Sequence, residues 1–200
     1  MPGPIKGVKV LELAQIMAGP TCGLMLADLG AEVIKIEKIP GGDDTRRFVP
    51  PDINGESSAF MMMNRNKKGI AINLKDKEGI KIFKLMVKTS DVVIENYRKG
   101  TMEKLGIGYD ELKKINPKII LCEISGYGRS GPYAKKGGFD LVAQGMSGLM
   151  SITGESKEKA PMKVGAPLTD ITAGILGATG VLAALINRQK TGLGQRVDTS

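Results

Sequence analysis

Residues 8–37 read VKVLELAQIMAGPTCGLMLADLGAEVIKIE, and the fold turns on them. Val8–Ala14 alternate apolar and polar side chains well enough for a strand. Met17-Ala18-Gly19-Pro20 is a turn that opens a helix with proline near its first position, and the helix is expected over about Thr21–Leu29. Gly30 ends it. Residues 31–37 then read as a second strand, whose Val33, Ile34 and Ile36 suit a parallel sheet covered on both faces. Strand, helix and strand in that order make a β-α-β unit.

The pattern repeats downstream. Gly69–Leu74 reads as a short strand, Lys75–Lys88 has helical spacing through Ile80, Phe83, Leu85 and Met86, and Asp91–Glu95 is another strand. Helical stretches near Thr101–Leu105 and Tyr109–Ile115 stop at Asn116-Pro117, and Lys118–Ile124 returns as a strand closed by the loop Gly126–Pro132. Between these units, residues 40–55 are polar and rich in breakers, which reads as a surface loop. Repeated β-α-β order predicts an α/β fold with an open, mostly parallel, doubly wound Rossmann-like sheet over about residues 5–145. Ligands of such sheets gather at the carboxyl ends of the strands. The loops at 15–20, 37–47, 95–100 and 125–139 are therefore expected to face one crevice.

Residues 169–187, TDITAGILGATGVLAALIN, carry no charge between Ile171 and Ile186, which raises a membrane reading. The stretch falls short of the roughly 20 apolar residues of a span and contains three glycines and two threonines, so a helix buried in a protein core is preferred. Arg188 and Lys190 with Gly192 and Gly194 beyond them suit its end. Residues 195–200 read as a strand cut short, and a truncated chain is the expectation. The amino terminus lacks an apolar stretch behind its lysine, so no signal peptide and a cytoplasmic location are expected.

Composition narrows the chemistry. The chain of 200 residues is 42% hydrophobic and 25% charged, ordinary for a globular protein with one buried core. It contains no histidine, which excludes Ser-His-Asp and Cys-His catalysis and histidine-ligated metal sites within it. Cys22 and Cys122 lie far apart in sequence, so neither a zinc site nor a disulfide framework is expected, only buried free thiols. No metal is expected. A net charge of +8 points to an anionic partner, but the cations are dispersed and only four tyrosines, four phenylalanines and no tryptophan are available to stack on bases. Nucleic acid is disfavoured on that ground.

Two positions invite a site. The turn after the first strand lacks the G-x-G-x-x-G fingerprint of a dinucleotide fold, so a purely structural strand-turn-helix is preferred there. Asp170 stands just inside a proline-initiated helix start, Gly165–Ile171. One reading makes Asp170 or Thr169 an N-cap; the other makes Asp170 a carboxylate held ionised by the helix dipole and nearby N–H groups, available as a nucleophile. The small residues Ala173, Gly174, Gly177 and Ala178 would let a thioester or another backbone come close.

The blocks GVKVLELAQIMAGP (7–20), LADLGAEVIKIEKIPGGDDTR (26–46), NRNKKGIAINLK (64–75), SDVVIENYRKGTMEKLG (90–106), INPKIILCEISGYGRSGPYAKKGGFDLVAQGMSG (115–148), GAPLTDITAG (165–174) and TGLGQRVDTS (191–200) resemble, in order, the family III CoA-transferases, the group of formyl-CoA transferase and carnitine CoA-transferase. The resemblance covers essentially the whole chain. It implies that Asp170 is the catalytic aspartate, carrying first an acyl anhydride and then a CoA thioester, and that an acyl-CoA and a carboxylic acid are the substrates, with no permanently bound cofactor. It places coenzyme A against Met17, Ala18, Lys38, Ile72, Asn73, Leu74, Lys75, Asn96, Tyr97, Arg98, Lys104, Lys136, Gly137, Gly138 and Phe139. Lys38, Lys75, Arg98, Lys104 and Lys136 suit phosphate groups, although each alone reads as a solvated surface charge. Some relatives carry glutamine at the place of Met17, which cannot hydrogen-bond a carbonyl through its side chain, so only a backbone role carries over.

The family also implies a homodimer of interlocked chains. The present residues 1–200 would form the N-terminal part of its large domain, comprising the sheet, a loop, and the catalytic aspartate with its long helix over about 167–188. A C-terminal small domain and a glycine-rich lid would lie beyond, leaving this piece inactive by itself. The alternative is a CoA-binding module without catalysis. A neighbouring branch, the 2-methylacyl-CoA racemases, uses a histidine where Phe139 stands here, so racemisation by that residue is excluded.

Overall fold

The computed structural model describes residues 3–156 and 158–200. The strands are β1 (Lys9–Glu12), β2 (Glu32–Glu37), β3 (Asp52–Ile53), β4 (Glu56–Ser57), β5 (Lys67–Ala71), β6 (Val92–Glu95), β7 (Ile120–Ile124) and β8 (Arg196–Thr199). The helices are α1 (Ala18–Asp28), α2 (Ser58–Asn64), α3 (Lys77–Val87), α4 (Thr101–Lys104), α5 (Tyr109–Ile115), α6 (Asp140–Met146) and α7 (Leu168–Thr191). Six strands form one sheet in the order β5-β2-β1-β6-β7-β8, and every neighbouring pair is parallel. β3 and β4 make a separate antiparallel pair.

The strands alternate between two cores. Val10, Val33, Val92, Ile94, Ile120 and Cys122 point to the side covered by α1 and α7. Leu11, Ile36, Val93 and Leu121 point to the other, where Phe83 and Val87 of α3 and Leu112 of α5 meet them. Each such side chain removed from water contributes about 1.5–3 kcal/mol, and burial on both faces is what makes the strands read as continuous apolar runs. Asp76 caps α3 by accepting the Glu78 N–H at 2.8 Å. Gly192, with φ of 71°, ends α7 in the left-handed conformation that glycine adopts freely.

Several elements depart from expectation. The sheet gains β8, outside the stretch expected to hold it, because α7 returns the chain alongside β7. The segment expected to be a plain surface loop contains a 3-10 turn at Asp44–Arg47 and buries Asp43 and Thr45. α2 and α6 were not expected. α7 buries only one face: Ala173, Gly174, Gly177, Ala178, Val181, Ala184 and Leu185 pack inward, while Ile175, Leu176 and Ile186 are exposed. Cys22 and Cys122 are free and buried as expected, yet they are neighbours in space, both lying against the position a side chain at Gly177 would take. A thiol-to-thiol hydrogen bond and burial push Cys22 well above the usual thiol range, which leaves it inert.

Candidate active site

The sheet order reverses between β1 and β6, so the loops leaving their carboxyl ends diverge and open a crevice. Asn96 spans it. Its side-chain oxygen accepts the Gln15 N–H at 3.0 Å and its amide donates to the Gln15 carbonyl at 2.8 Å. Both functional groups of Asn96 are thereby engaged with the protein's own backbone, which makes it a brace for the first turn.

Beside this brace lies a cavity of about 420 Å³. Leu13, Ile36, Ile72, Leu74, Tyr97 and Leu105 give it apolar walls, and Lys38, Asn73 and Lys75 supply polar groups. Six of the residues attributed to a coenzyme contact, Lys38, Ile72, Asn73, Leu74, Lys75 and Tyr97, are thus brought together. Lys38 is not a bare cation, since its ammonium stands 2.7 Å from Asp44 and 3.5 Å from the Gln15 side-chain oxygen. Burial, with Glu95 nearby, pushes the Tyr97 phenol up to about 12, so it stays a neutral hydrogen-bonding wall. Met17, Ala18, Asn96, Arg98, Lys104, Lys136, Gly137, Gly138, Phe139 and Asp170 do not line this cavity.

A second cluster follows β7. The guanidinium of Arg98 lies against Gly137, at 3.4 Å from where a Cβ would stand. Gly126 and Gly138 cross so closely that a Cβ on either would fall 2.2 Å from the other's Cα, which pinches residues 126–138 into a closed loop. Arg129 within it reaches back to two buried glutamates, Glu95 and Glu123, paired across β6 and β7. Lys136 sits 4.0 Å over the Tyr133 ring, and Phe139 is exposed at the start of α6. Lys104 is exposed on α4.

α7 runs into β8 at the amino end of the sheet, so its first turn, with Asp170, stands at the carboxyl end. Neither Asp170 nor Thr169 is the N-cap. Pro167 occupies that position, and the cap comes from Asp140 of α6, whose Oδ1 accepts the Thr169 N–H at 2.9 Å, the Thr169 hydroxyl at 2.7 Å and the Asp170 N–H at 3.4 Å. Gln144, fully buried, donates to the other oxygen of Asp140 at 2.6 Å and accepts the Val164 N–H at 2.8 Å. Against the effect of burial, hydrogen bonds from the Thr169 hydroxyl, the Gln144 amide and then the two helix-end N–H groups hold Asp140 down in pKa, while burial first and the Asp140 charge second push Asp170 up. The helix-end N–H groups expected to serve Asp170 thus serve Asp140 instead. Among the described residues, nothing donates a hydrogen bond to the Asp170 carboxylate, whereas the buried Glu12, Asp43, Glu95 and Glu123 are all paired with cations.

The sequence reading also missed a buried ionic floor beneath the crevice. Lys35 lies 3.0 Å from Glu12 and 2.8 Å from Asp43, and Lys67 lies 2.8 Å from the other oxygen of Glu12. These side chains are at most 3% exposed. A lysine in the middle of an apolar strand, Val-Ile-Lys-Ile, was the available signal, because a buried lysine requires a carboxylate partner.

The chain matches the family described as CoA-transferase family III over residues 5–200. It is 44% identical over 195 residues to the succinyl-CoA:glutarate CoA-transferase of Mus musculus, an alignment covering 98% of this chain and 44% of that protein. The succinate–glutarate CoA-transferase of Agrobacterium fabrum is 45% identical over 201 residues, covering 98% of this chain and 50% of the relative. A crystal structure of a CAIB/BAIF family protein from Brucella suis superposes with a TM-score of 0.95 at 43% identity, covering 100% of this chain and 53% of that one. The chain thus spans about half the length of the curated relatives it matches.

Proposed function

The chain belongs to CoA-transferase family III, and from that premise we propose that the protein moves coenzyme A from an acyl-CoA thioester to a carboxylic acid, with Asp170 as the nucleophile. The observation that carries the role of Asp170 is its half-buried carboxylate, which has no hydrogen-bond donor among the described residues and stands at the crevice end of the sheet. A carboxylate engaged by a cation or by N–H groups has its lone pairs committed; this one does not.

The steps balance without any proton transfer. The Asp170 carboxylate attacks the thioester carbonyl, a carbon–oxygen bond forms, the carbon–sulfur bond breaks, and CoA leaves as its thiolate from a mixed anhydride. The thiolate then attacks the Asp170 carbonyl, which releases the donor acid and leaves CoA on the aspartate as a thioester. The acceptor carboxylate repeats both steps in reverse order of partners, and Asp170 is regenerated. Anhydride and thioester both hydrolyse in water, so the half-buried setting protects them.

The apolar cavity beside Lys38 and Lys75 supports a place for the nucleotide end of CoA, with the lysines meeting phosphate and Lys38 exchanging Asp44 for it. Relatives named for succinyl-CoA, glutarate and mesaconate direct the choice of first substrates. The test is transfer by the full-length protein from succinyl-CoA or acetyl-CoA to a panel of carboxylic acids. Asp170→Asn should lower turnover by about three orders of magnitude or more, as loss of a covalent nucleophile does, while calorimetric affinity for CoA is retained. Undiminished turnover in that variant would remove the mechanism and leave a CoA-binding module.

A further inference from the structure

Ile16 is held with φ at +71°, a left-handed conformation that a β-branched residue adopts only under constraint. The other two non-glycine residues in this region of conformation, among those described, are Asn54 and Asn66, a residue type that tolerates it. Ile16 is also not a core residue, being 36% exposed. Backbone strain of this kind persists where the surroundings dictate it, and it gathers at functional sites.

The constraint has an identifiable source. The Ile16 N–H points at the Asp43 carboxylate, 3.1 and 3.2 Å from its two oxygens. Asp43 is itself fixed by Lys35 at 2.8 Å and by the N–H and hydroxyl of Thr45 at 2.9 Å each. On one side Asn96 grips both backbone groups of Gln15, and on the other the Met17 carbonyl accepts the Thr21 N–H and hydroxyl. Gln15–Ala18 is therefore a turn clamped at three successive residues, and Asp43 holds the one that is strained. Ala18 continues it onto α7, where its carbonyl would stand 2.5 Å from a Cβ at Gly174, one turn below Asp170.

We infer that Asp43 is a positioning residue that keeps Ile16 left-handed, so that the backbone of Met17 and Ala18 is presented to bound CoA. The inference rests on the CoA-transferase reading. It separates Asp43 from its neighbour Asp44, whose carboxylate faces the solvent-exposed Lys38.

The test uses the full-length protein and reads CoA affinity by calorimetry together with the melting temperature. Asp43→Asn should weaken CoA binding about tenfold and lower the melting temperature, since Lys35 loses a partner. Ile16→Gly alone should bind within about twofold of the wild type, because glycine takes the left-handed conformation unaided. The double variant Asp43→Asn/Ile16→Gly should recover CoA affinity to within about threefold of the wild type without recovering the melting temperature. A merely structural Asp43 would recover neither. Ile16→Pro leaves all the buried charges in place but lacks the N–H and cannot reach a positive φ, so it should lose affinity about tenfold, with a smaller fall in melting temperature than Asp43→Asn, in which Lys35 also loses a partner.

Wild-type affinity in Asp43→Asn or in Ile16→Pro, or a double variant as weak as Asp43→Asn, would overturn the inference. A wild type that binds CoA without transferring it would overturn the transferase reading alone, leaving the inference to be scored on affinity. A wild type that binds no CoA would overturn both, before any variant is compared.

Discussion

Asp140 of α6 meets Asp170 at the first turn of α7, and the N–H groups there go to Asp140. Asp170 is left with a raised pKa from burial and from the charge of Asp140, so the acid limb of the proposed transfer activity should lie above the 3.8 of a free aspartate. Asp140→Asn keeps an acceptor for Thr169 and removes the repulsion. The acid limb should then move to lower pH in the full-length protein, and stability should fall by about 1 kcal/mol as charge-assisted bonds become neutral ones. A pH–rate profile with an unmoved acid limb would show that Asp140 does not act on Asp170 electrostatically. The motif around Asp170 marked it in the sequence as a candidate, whereas Asp140 carried no such signal. Its three contacts with the start of α7 reach across 29 and 30 residues, and no local spacing announces them.

At the scale of elements, α7 crosses α1 at a distance that glycine sets. A Cβ at Gly174 would fall 2.5 Å from the Ala18 carbonyl and 2.6 Å from Thr21 Cβ, whereas one at Gly180 would meet Val197 Cγ1 at 2.6 Å. The first obstacle includes fixed backbone; the second is a side chain that can rotate. Gly174→Ala should destabilise the fold by about 1–3 kcal/mol by overpacking, outweighing the gain of about 1 kcal/mol in helix propensity, and Gly180→Ala should cost less. Urea unfolding of the pair would decide, and a reversed order would refute the packing argument. The strands were readable because burial on both faces leaves contiguous apolar runs. α6 was not, since Leu141, Val142 and Met146 face outward and its pattern carries no core stripe. α2 is equally short, and three of its seven residues are adjacent methionines without helical spacing.

Across the whole molecule, β1, β2, β6 and β7 place Glu12, Glu37, Glu95 and Glu123 at or near the crevice end of the sheet, and internal cations answer them. Several lysines and arginines are thus matched by acids within the fold, which leaves the net excess of +8 unchanged. Burial, with Glu123 adding to it against the pull of Arg129, pushes Glu95 from 4.5 up to about 8. A folded-state pKa above the unfolded one means that the native state binds more protons across that window, so the contribution of Glu95 to stability is fully present below pH 4.5 and is lost as pH rises through about 8. Denaturant unfolding between pH 5 and 8 should show a shallower fall for Glu95→Gln than for the wild type, and parallel curves would refute the shift. The loop 40–55 was misjudged for a related reason, because nothing local distinguishes the buried Asp43 from the half-exposed Asp44. Glu12, Lys35, Asp43 and Lys67, two acids and two bases drawn from three strands and a loop, sum to zero charge out of reach of water. Exchanging any one of them strands an opposite charge, so a descendant lineage can alter this quartet only through compensating replacements, and the four positions should drift together or not at all.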